Sequence, residues 1–217
     1  MKRRLVVVRP EPGNARTATV ARALGWRVDA MPLFAVSPLA WTPPDPSAFD
    51  ALLLTSANAI RHAGPALMTF RTLPVIAVGA ATAAAASTAG LTVALTGDRD
   101  AAALVGAGRE RGFHRLLHLA GRDRVEQAGV CAVSVYASKA LAPPADAAER
   151  LSGAVVLLHS PRAAQAVAEI AADRTSIAVA ALSLAVLDAA GPGWRATATA
   201  AEPTDAALLA AAATLGD

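Results

Sequence analysis

Cysteine, aromatic residues and long apolar runs are scarce in this chain. Cys131 is the single cysteine of 217 residues, and aromatic residues make up 4%. One thiol cannot form an internal disulfide or supply a thiolate metal site alone, which suits a reducing cytoplasm. No apolar run approaches the roughly 18 residues of a membrane span. The run at 5–8 is too short for a signal peptide and ends at Arg9 and Pro10. We therefore expect a cytoplasmic protein that does not associate with membranes.

Runs of basic residues are also nearly absent. The net charge is +3 and the pI about 9.7, but the only basic run is Lys2-Arg3-Arg4. Nucleic-acid-binding proteins usually concentrate lysine and arginine on one face or in blocks. The sequence therefore argues against a nucleic-acid partner, while its mild basic balance suits an anionic small molecule.

Three patterns that would indicate metal, dinucleotide or hydrolase chemistry do not hold up. His114 and His118 have the spacing of metal ligands on a helix, but this segment reads as a strand. The glycines Gly106, Gly108 and Gly112 end a helical pattern, whereas a dinucleotide loop must open one. No G-x-S-x-G elbow occurs. We expect neither a metal nor a cofactor.

Apolar strand-like runs alternate with helical patterns along the whole chain. The predicted strands are 4–9, 26–31, 49–56, 74–79, 91–96, 114–121, 130–137, 153–160, 176–182 and 194–200. Asn14 is a candidate helix cap, as is Asp98 or Asp100. Strands separated by helices of 10–15 residues predict an α/β protein whose parallel sheets are covered on both faces.

Two proline-rich stretches, 31–46 and 141–146, divide the chain. The residues before the first stretch are too few to form a domain alone, so we expect them to join the C-terminal block. The predicted organisation is a discontinuous domain of 1–33 with 142–217, an inserted domain of 38–132, and paired linkers at 34–37 and 133–141. Ligand sites favour domain interfaces and the carboxyl ends of parallel strands, so we expect a cleft between two small domains.

Polar residues, glycines and turn residues follow several predicted strands. The candidate binding residues are Arg9, Thr55, Ser56, Ala57, Asn58, Gly79, Thr82, Gly121, Arg122, Ser160 and Arg162. Helix N-termini hold anions through free backbone N–H groups, hydroxyls add donors, and arginine adds a fork for carboxylates. Ordinary helix capping explains any one of these residues equally well. Several such ends together would form a broad surface for a substrate with several carboxylates.

The order of these segments resembles the uroporphyrinogen-III synthase family almost end to end. The matching pieces are VVVRPEP, ARALGWRVDAMPLFAVSP, FDALLLTSANAI, PVIAVGAATAAAASTAG, LLHLAGRDR, VSVYAS, VVLLHSPRAA and AEPTDAALLAAA. Their order and spacing carry the resemblance, because the family has a diffuse signature. Two segments depart from it: the stretch between Gly121 and Val130 is short, and the turn at 181–185 has only Ser183 as a hydroxyl.

The resemblance implies two α/β domains on a two-stranded linker. It also implies a cyclising hydro-lyase of haem and other tetrapyrrole biosynthesis, which converts hydroxymethylbilane to uroporphyrinogen III with loss of water and inversion of ring D. It places the family's linker tyrosine at Tyr136, whose phenol could protonate or orient the departing hydroxyl. A half-buried structural tyrosine is the alternative for this residue. We expect a monomer in transient contact with the enzyme that forms hydroxymethylbilane.

Another class of function remains open at this point. A two-lobed domain that binds an anionic metabolite without catalysis would use the same cleft. A nicotinamide-dependent oxidoreductase would have to bind its cofactor, which the glycine pattern does not favour. Tyr136 and the order of the segments favour the enzyme.

Overall fold

Two sheets of mainly parallel strands, with helices on both faces, form the core of the structure, a computed structural model that describes residues 4–97 and 101–215. The contacts divide the chain into a first unit, Met1–Ala35 with Ala140–Asp217, and a second unit, Val36–Lys139. The predicted α/β class is confirmed, with parallel pairing dominating both sheets. Lys2 and Arg3 of the basic run, and the candidate caps Asp98 and Asp100, lie outside the described residues.

The ten predicted strands are all present in the predicted order, and the structure adds a strand at Phe34–Pro38, over the expected linker 34–37, and a short helix at Ala147–Leu151. The strands are β1 Arg4–Val7, β2 Arg27–Ala30, β3 Phe34–Pro38, β4 Ala51–Leu54, β5 Val75–Val78, β6 Val93–Gly97, β7 Leu116–Gly121, β8 Val130–Ala140, β9 Val155–Leu158, β10 Ala178–Ala181 and β11 Ala196–Thr199. The helices are α1 Gly13–Ala23, α2 Ala57–His62, α3 Ala80–Thr88, α4 Ala101–Glu110, α5 Ala147–Leu151, α6 Pro161–Ile170, α7 Leu184–Ala190 and α8 Asp205–Ala213.

The first unit is built on a sheet of order β11-β10-β9-β1-β2, all of whose neighbours run parallel. Strand β1 shows why its sequence is apolar without interruption. Val6 packs into a core with α6 and α7, while Leu5 and Val7 pack into a second core with α1 and α8. A strand covered on both faces needs apolar side chains at every position, so the continuous run at 5–8 predicts the buried centre of this sheet.

The second unit is built on a sheet of order β3-β8-β7-β4-β5-β6. Strands β8, β7, β4, β5 and β6 pair in parallel. Strand β4 is fully buried: Leu52 and Leu54 face one core, and Ala51 and Leu53 face the other. The segment 133–141, expected as a linker, contains most of β8, which pairs with β7 as far as Tyr136.

The prediction that Asn14 caps a helix from outside is wrong. Helix α1 begins one residue earlier, after Pro12, which provides no side-chain cap. Asn14 is fully buried inside the first turn, and its Nδ2 donates to the backbone oxygens of Val7 at 2.7 Å and Arg9 at 2.9 Å. Carbonyls at a strand end need donors once the ladder stops, so Asn14 ties the helix to the end of β1.

Candidate functional site

The second unit contains a pocket of about 290 Å³ at the carboxyl ends of β4 and β7. Parallel neighbours end at the same edge of a sheet, which is where ligands of open α/β sheets bind. The residues of its wall that bear on chemistry are Thr55, Ser56, His118, Gly121, Arg124 and Tyr136. Four of the candidates from the sequence, Thr55, Ser56, Gly121 and Tyr136, therefore lie together.

Tyr136 rests against the backbone of Gly121. The regular β7–β8 register shifts between Ala120 and Gly121, which places Gly121 opposite Tyr136. The backbone N–H of Arg122 donates to the carbonyl of Tyr136 at 2.9 Å, which closes the ladder at this point. The ring of His62 lies 6.2 Å from the tyrosine ring. The tyrosine is thus positioned by the last residues of β7 and by α2, with its side chain on the pocket wall.

Thr55 has a histidine as its partner. His118 lies on β7, is 3% exposed, and its Nε2 lies 3.0 Å from the hydroxyl oxygen of Thr55. Burial lowers the pKa of His118 to about 4, and the positive charge of Arg124 acts in the same direction. The imidazole is therefore neutral near pH 7. A neutral imidazole can donate to or accept from a hydroxyl, so His118 orients Thr55 in the pocket.

Ser56, Ala57 and Asn58 form the start of α2. The hydroxyl oxygen of Ser56 accepts from the backbone N–H of Asn58 at 3.2 Å, which is an ordinary N-cap. Asn58 accepts from Arg61 through its Oδ1. Capping and pocket lining coexist at Ser56, because its hydroxyl proton is not used by the cap.

Gly79 and Thr82 lie at the start of α3, and neither lines the pocket. Gly79 has φ of +80°, which favours glycine, and its N–H donates to the carbonyl of Gly97 at 2.7 Å. Thr82 is 6% exposed. Both residues complete the turn after β5.

The residues after β7 do not form the predicted helix N-terminus. The structure describes all of 122–129, and this stretch between β7 and the start of β8 at Val130 contains no helix. Gly121 contributes to the pocket and Arg122 is exposed outside its wall. The shortness of the segment explains the error, because few residues are available to turn the chain back to a neighbouring parallel strand.

Arg124 is a pocket residue that the candidate list left out, although it lies at the same strand end as Gly121 and Arg122. Its Nη1 donates to the hydroxyl of Ser134 at 2.7 Å and to the carbonyl of Gly121 at 3.3 Å. Its Nη2 lies 2.9 Å from a carboxylate oxygen of Glu126. His118 is the other missed residue, since its spacing from His114 drew attention only to metals.

The remaining candidates, Arg9, Ser160 and Arg162, belong to the first unit. Ser160 caps α6 by accepting from the backbone N–H of Ala163 at 3.3 Å. The guanidinium of Arg162 lies 4.9 Å from the centre of the Phe34 ring. Ser160 is thus engaged with the chain itself, and a binding role for Arg9, Ser160 and Arg162 stays a prediction.

The guanidinium of Arg9 already holds a carboxylate of the chain. Its Nη1 donates to both oxygens of Asp205, at 2.7 and 2.9 Å, and the hydroxyl of Thr17 donates to Asp205 at 2.8 Å. The contact with His159, the hydrogen bond from Thr17 and the charge of Arg9 hold the pKa of Asp205 well below its usual range. This cluster joins the ends of β1 and β9 to the start of α8.

Metal-ligand clusters and membrane-spanning helices are both missing from the described part of the chain. No group of three histidine, cysteine, aspartate or glutamate residues within 4–97 and 101–215 could hold a metal ion. Over the same residues, no helix combines the length and apolar character needed to cross a membrane.

Comparison with known proteins places these features in a family. Residues 15–210 match the model of the family described as uroporphyrinogen-III synthase HemD. No curated protein sequence matches the chain. The crystal structure of uroporphyrinogen-III synthetase from Helicobacter pylori superposes with a TM-score of 0.69 and 16% identity, covering 98% of this chain and 99% of that one. A mutant uroporphyrinogen III synthase from Thermus thermophilus gives 0.55 and 16%, covering 98% of each chain.

The two structural matches bear on the fold, because their sequence identity to this chain is low. The family assignment comes from the model match, which extends over most of the sequence. It agrees with the order of segments from α1 into α8, and it supports the enzyme over the non-catalytic binding domain. The chain belongs to the uroporphyrinogen-III synthase family.

Proposed function

We propose that the chain is a cyclising lyase that closes hydroxymethylbilane to uroporphyrinogen III, with Tyr136 in its catalytic machinery. The observation that carries this assignment of the site is the Tyr136 side chain in the pocket, fixed against Gly121 beside Thr55 and Ser56. Family membership supports the assignment of the reaction, and the pocket supports the assignment of the active site to the ends of β4 and β7.

The substrate itself provides most of the electronic stabilisation that the reaction needs. The C–O bond of the hydroxymethyl group breaks, the oxygen leaves as water after gaining a proton, and the pyrrole nitrogens stabilise the azafulvene-like cation that remains. The cationic carbon bonds to the substituted α-carbon of ring D, which gives a spiro centre. The older bond from that α-carbon to the bridge from ring C then breaks, the bridge carbon bonds to the free α-carbon of ring D, and the proton on that carbon leaves to solvent, so ring D ends up inverted. The protein has two tasks: to assist departure of the hydroxyl, and to fold the chain so that spiro closure outcompetes direct closure.

Tyr136 suits the first task. Its phenolic hydroxyl is a donor on the pocket wall, and a positioned general acid is worth roughly 10²–10⁴-fold in rate. Thr55 and Ser56 add hydroxyl donors at the same strand end. The substrate's own electronics supply the rest of the driving force, so the tyrosine contributes at the low end of that range.

Binding of the acetate and propionate arms serves the second task, because it holds the bilane in its folded form. Thr55, Ser56 and Gly121 are the best supported of the proposed binding residues, because they line the pocket with Tyr136. The other proposed contacts do not line the pocket and lie at strand ends of both units: Arg9, Ala57, Asn58, Gly79, Thr82, Arg122, Ser160 and Arg162. Of these, Arg9 is the least supported, because Asp205 occupies its guanidinium.

The proposal extends to the cellular setting of the enzyme. We propose a cytoplasmic monomer that needs no cofactor and receives its bilane in transient contact with the enzyme that forms it. The single cysteine suits a reducing compartment.

The proposal is tested by the isomer of the product. Hydroxymethylbilane generated in place by its upstream enzyme closes spontaneously to isomer I. Addition of this chain should divert the product to isomer III, measured by chromatography after oxidation to the porphyrins. Isomer I alone, with folded protein present, would exclude the enzyme and favour the binding domain.

A further inference from the structure

The guanidinium of Arg124 is fixed to the sheet along one edge. Its Nη1 is bonded to the hydroxyl of Ser134 on β8 and to the carbonyl of Gly121 on β7. The side chain is 20% exposed. Two anchors on neighbouring strands hold the group in one orientation at the pocket wall, which reduces the entropy lost when it binds an anion.

The opposite edge of the same guanidinium is only partly used. Nη2 contacts Glu126, whose side chain is 70% exposed. Nε is buried and has no hydrogen-bond acceptor among the described residues. A buried donor without an acceptor is unfavourable. This edge of the guanidinium can therefore donate one more hydrogen bond, from Nε, than the loop accepts.

Two other arginines of the chain show how such an edge binds a carboxylate. Arg150 donates from both Nε and Nη2 to Asp29, and Arg115 does so to Asp50. In each case one carboxylate takes both donors. At Asp29 each nitrogen has its own oxygen, the bidentate arrangement that arginine favours, whereas at Asp50 both nitrogens donate to Oδ1. Arg124 presents the same two nitrogens with one of them satisfied.

We infer that Arg124 binds a carboxylate of the tetrapyrrole substrate through Nε and Nη2, and that Glu126 holds this position until the substrate displaces it. The inference rests on the proposed function, whose substrate carries acetate and propionate arms. The ion pair with Arg124 contributes little because the Glu126 side chain is 70% exposed and solvent screens its charge, so its loss costs little. The substrate's second oxygen satisfies Nε, which Glu126 leaves unpaired.

Arg124 thereby takes a role that the sequence assigned to Arg122. Both lie in the short segment after Gly121, but only Arg124 lines the pocket. In the loop itself, Glu126 occupies Arg124 as a substrate carboxylate would, since Glu126 is a carboxylate only two residues further along the chain.

Two variants test the inference in the full-length chain. Arg124→Gln should raise the KM for hydroxymethylbilane about tenfold or more while kcat changes less, as expected for a charge-assisted hydrogen bond to the substrate. Glu126→Gln should lower the KM by roughly two- to fivefold, because it removes a weak competitor. Glu110→Gln, an exposed glutamate at the end of α4, is the matched control and should leave the KM unchanged.

A double variant separates the carboxylate fork from a general charge effect. In the Arg124→Gln background, Glu126→Gln should have no effect on the KM. Unchanged KM in a folded Arg124→Gln protein overturns the inference. If Arg124→Gln fails to fold, Glu126→Gln alone decides the question. A wild-type KM in the Glu126→Gln protein then overturns the inference that the substrate displaces Glu126 from Arg124.

Binding of uroporphyrin III, which carries the same acetate and propionate arms, keeps this test separate from the proposed function. Its Kd, followed by quenching of tryptophan fluorescence, should rise in Arg124→Gln and fall in Glu126→Gln. Wild-type protein that binds the porphyrin in this Arg124-dependent way but yields only isomer I would sink the proposed function and leave the anion site standing. If the protein yields isomer III but its Kd for the porphyrin is the same in both variants as in the wild type, the proposed function stands and the anion site at Arg124 is overturned.

Discussion

Gly121 and Tyr136 approach so closely that residue 121 has no room for a side chain. A β-carbon placed on Gly121 would lie 2.9 Å from Cε2 and Cζ of the tyrosine ring and 3.1 Å from its hydroxyl oxygen. Gly121 does not have a positive φ, so the ring, and not the backbone conformation, requires glycine here. The position of the proposed proton donor therefore depends on a residue that does no chemistry.

Gly121→Ala should displace the Tyr136 ring and lower kcat by roughly 10–100-fold, about as much as loss of the hydroxyl would. Crowding at this buried position should also cost about 1–3 kcal/mol of folding stability, measurable by urea denaturation. Gly106→Ala on α4 is the control, because a β-carbon there meets nothing within 4 Å. Full turnover in the Gly121→Ala protein would contradict the dependence of the site on this contact.

His118 should make the protein less stable in mild acid. Its pKa of about 4 in the folded protein lies below the ordinary histidine value of 6.5, so between these pH values the unfolded chain binds more protons than the folded one. Stability therefore falls as pH decreases from 6.5 towards 4, by at most about 1.4 kcal/mol per pH unit from this residue.

His118→Gln removes that contribution and keeps a donor and an acceptor near Thr55. The free energy of unfolding, measured by denaturant titration at several pH values, should depend less on pH between 4 and 6.5 than in the wild type. His62 and His159 also have lowered pKa values, mainly because of burial, and they remain in both proteins. Equal slopes for the two proteins would mean that His118 does not titrate as described.

Ser56→Asp separates the capping role of Ser56 from its proposed role in binding. Aspartate caps helices as well as serine does, so stability should change by less than about 0.5 kcal/mol. A new negative charge in the pocket should oppose the anionic substrate and raise KM at least roughly tenfold. Ser56→Ala provides the comparison: it should lose the cap, at about 1 kcal/mol, with a smaller rise in KM. An Asp variant with the wild-type KM would place substrate carboxylates elsewhere.

The strands and their packing could be predicted from the sequence because buried parallel strands have a one-dimensional signature. The run at 51–54 is apolar since both faces of β4 are covered, and no knowledge of its neighbours is needed. Two site residues could also be predicted from the sequence. The family resemblance indicated Tyr136, and the position of Ser56 directly before a helix indicated that residue.

The partners of His118 and Arg124 could not be predicted in this way. His118 and Thr55 are 63 residues apart, and their contact exists only because β7 and β4 are neighbours in the sheet. Arg124 reaches Ser134 across the short segment that replaces the expected helix. Asparagine is a common helix-capping residue, but Asn14 is buried against the end of β1, where its amide donates to strand carbonyls instead. Such contacts depend on strand order and loop path, which local patterns do not encode.

Turnover and product isomer of Tyr136→Phe test the central claim most directly. The substitution keeps the ring on Gly121 and removes only the hydroxyl, so the fold of the bound chain should survive. We expect kcat to fall by roughly 10–100-fold, at or below the low end of general acid catalysis, with isomer III still the product. Unchanged turnover would remove Tyr136 from the mechanism and contradict the account.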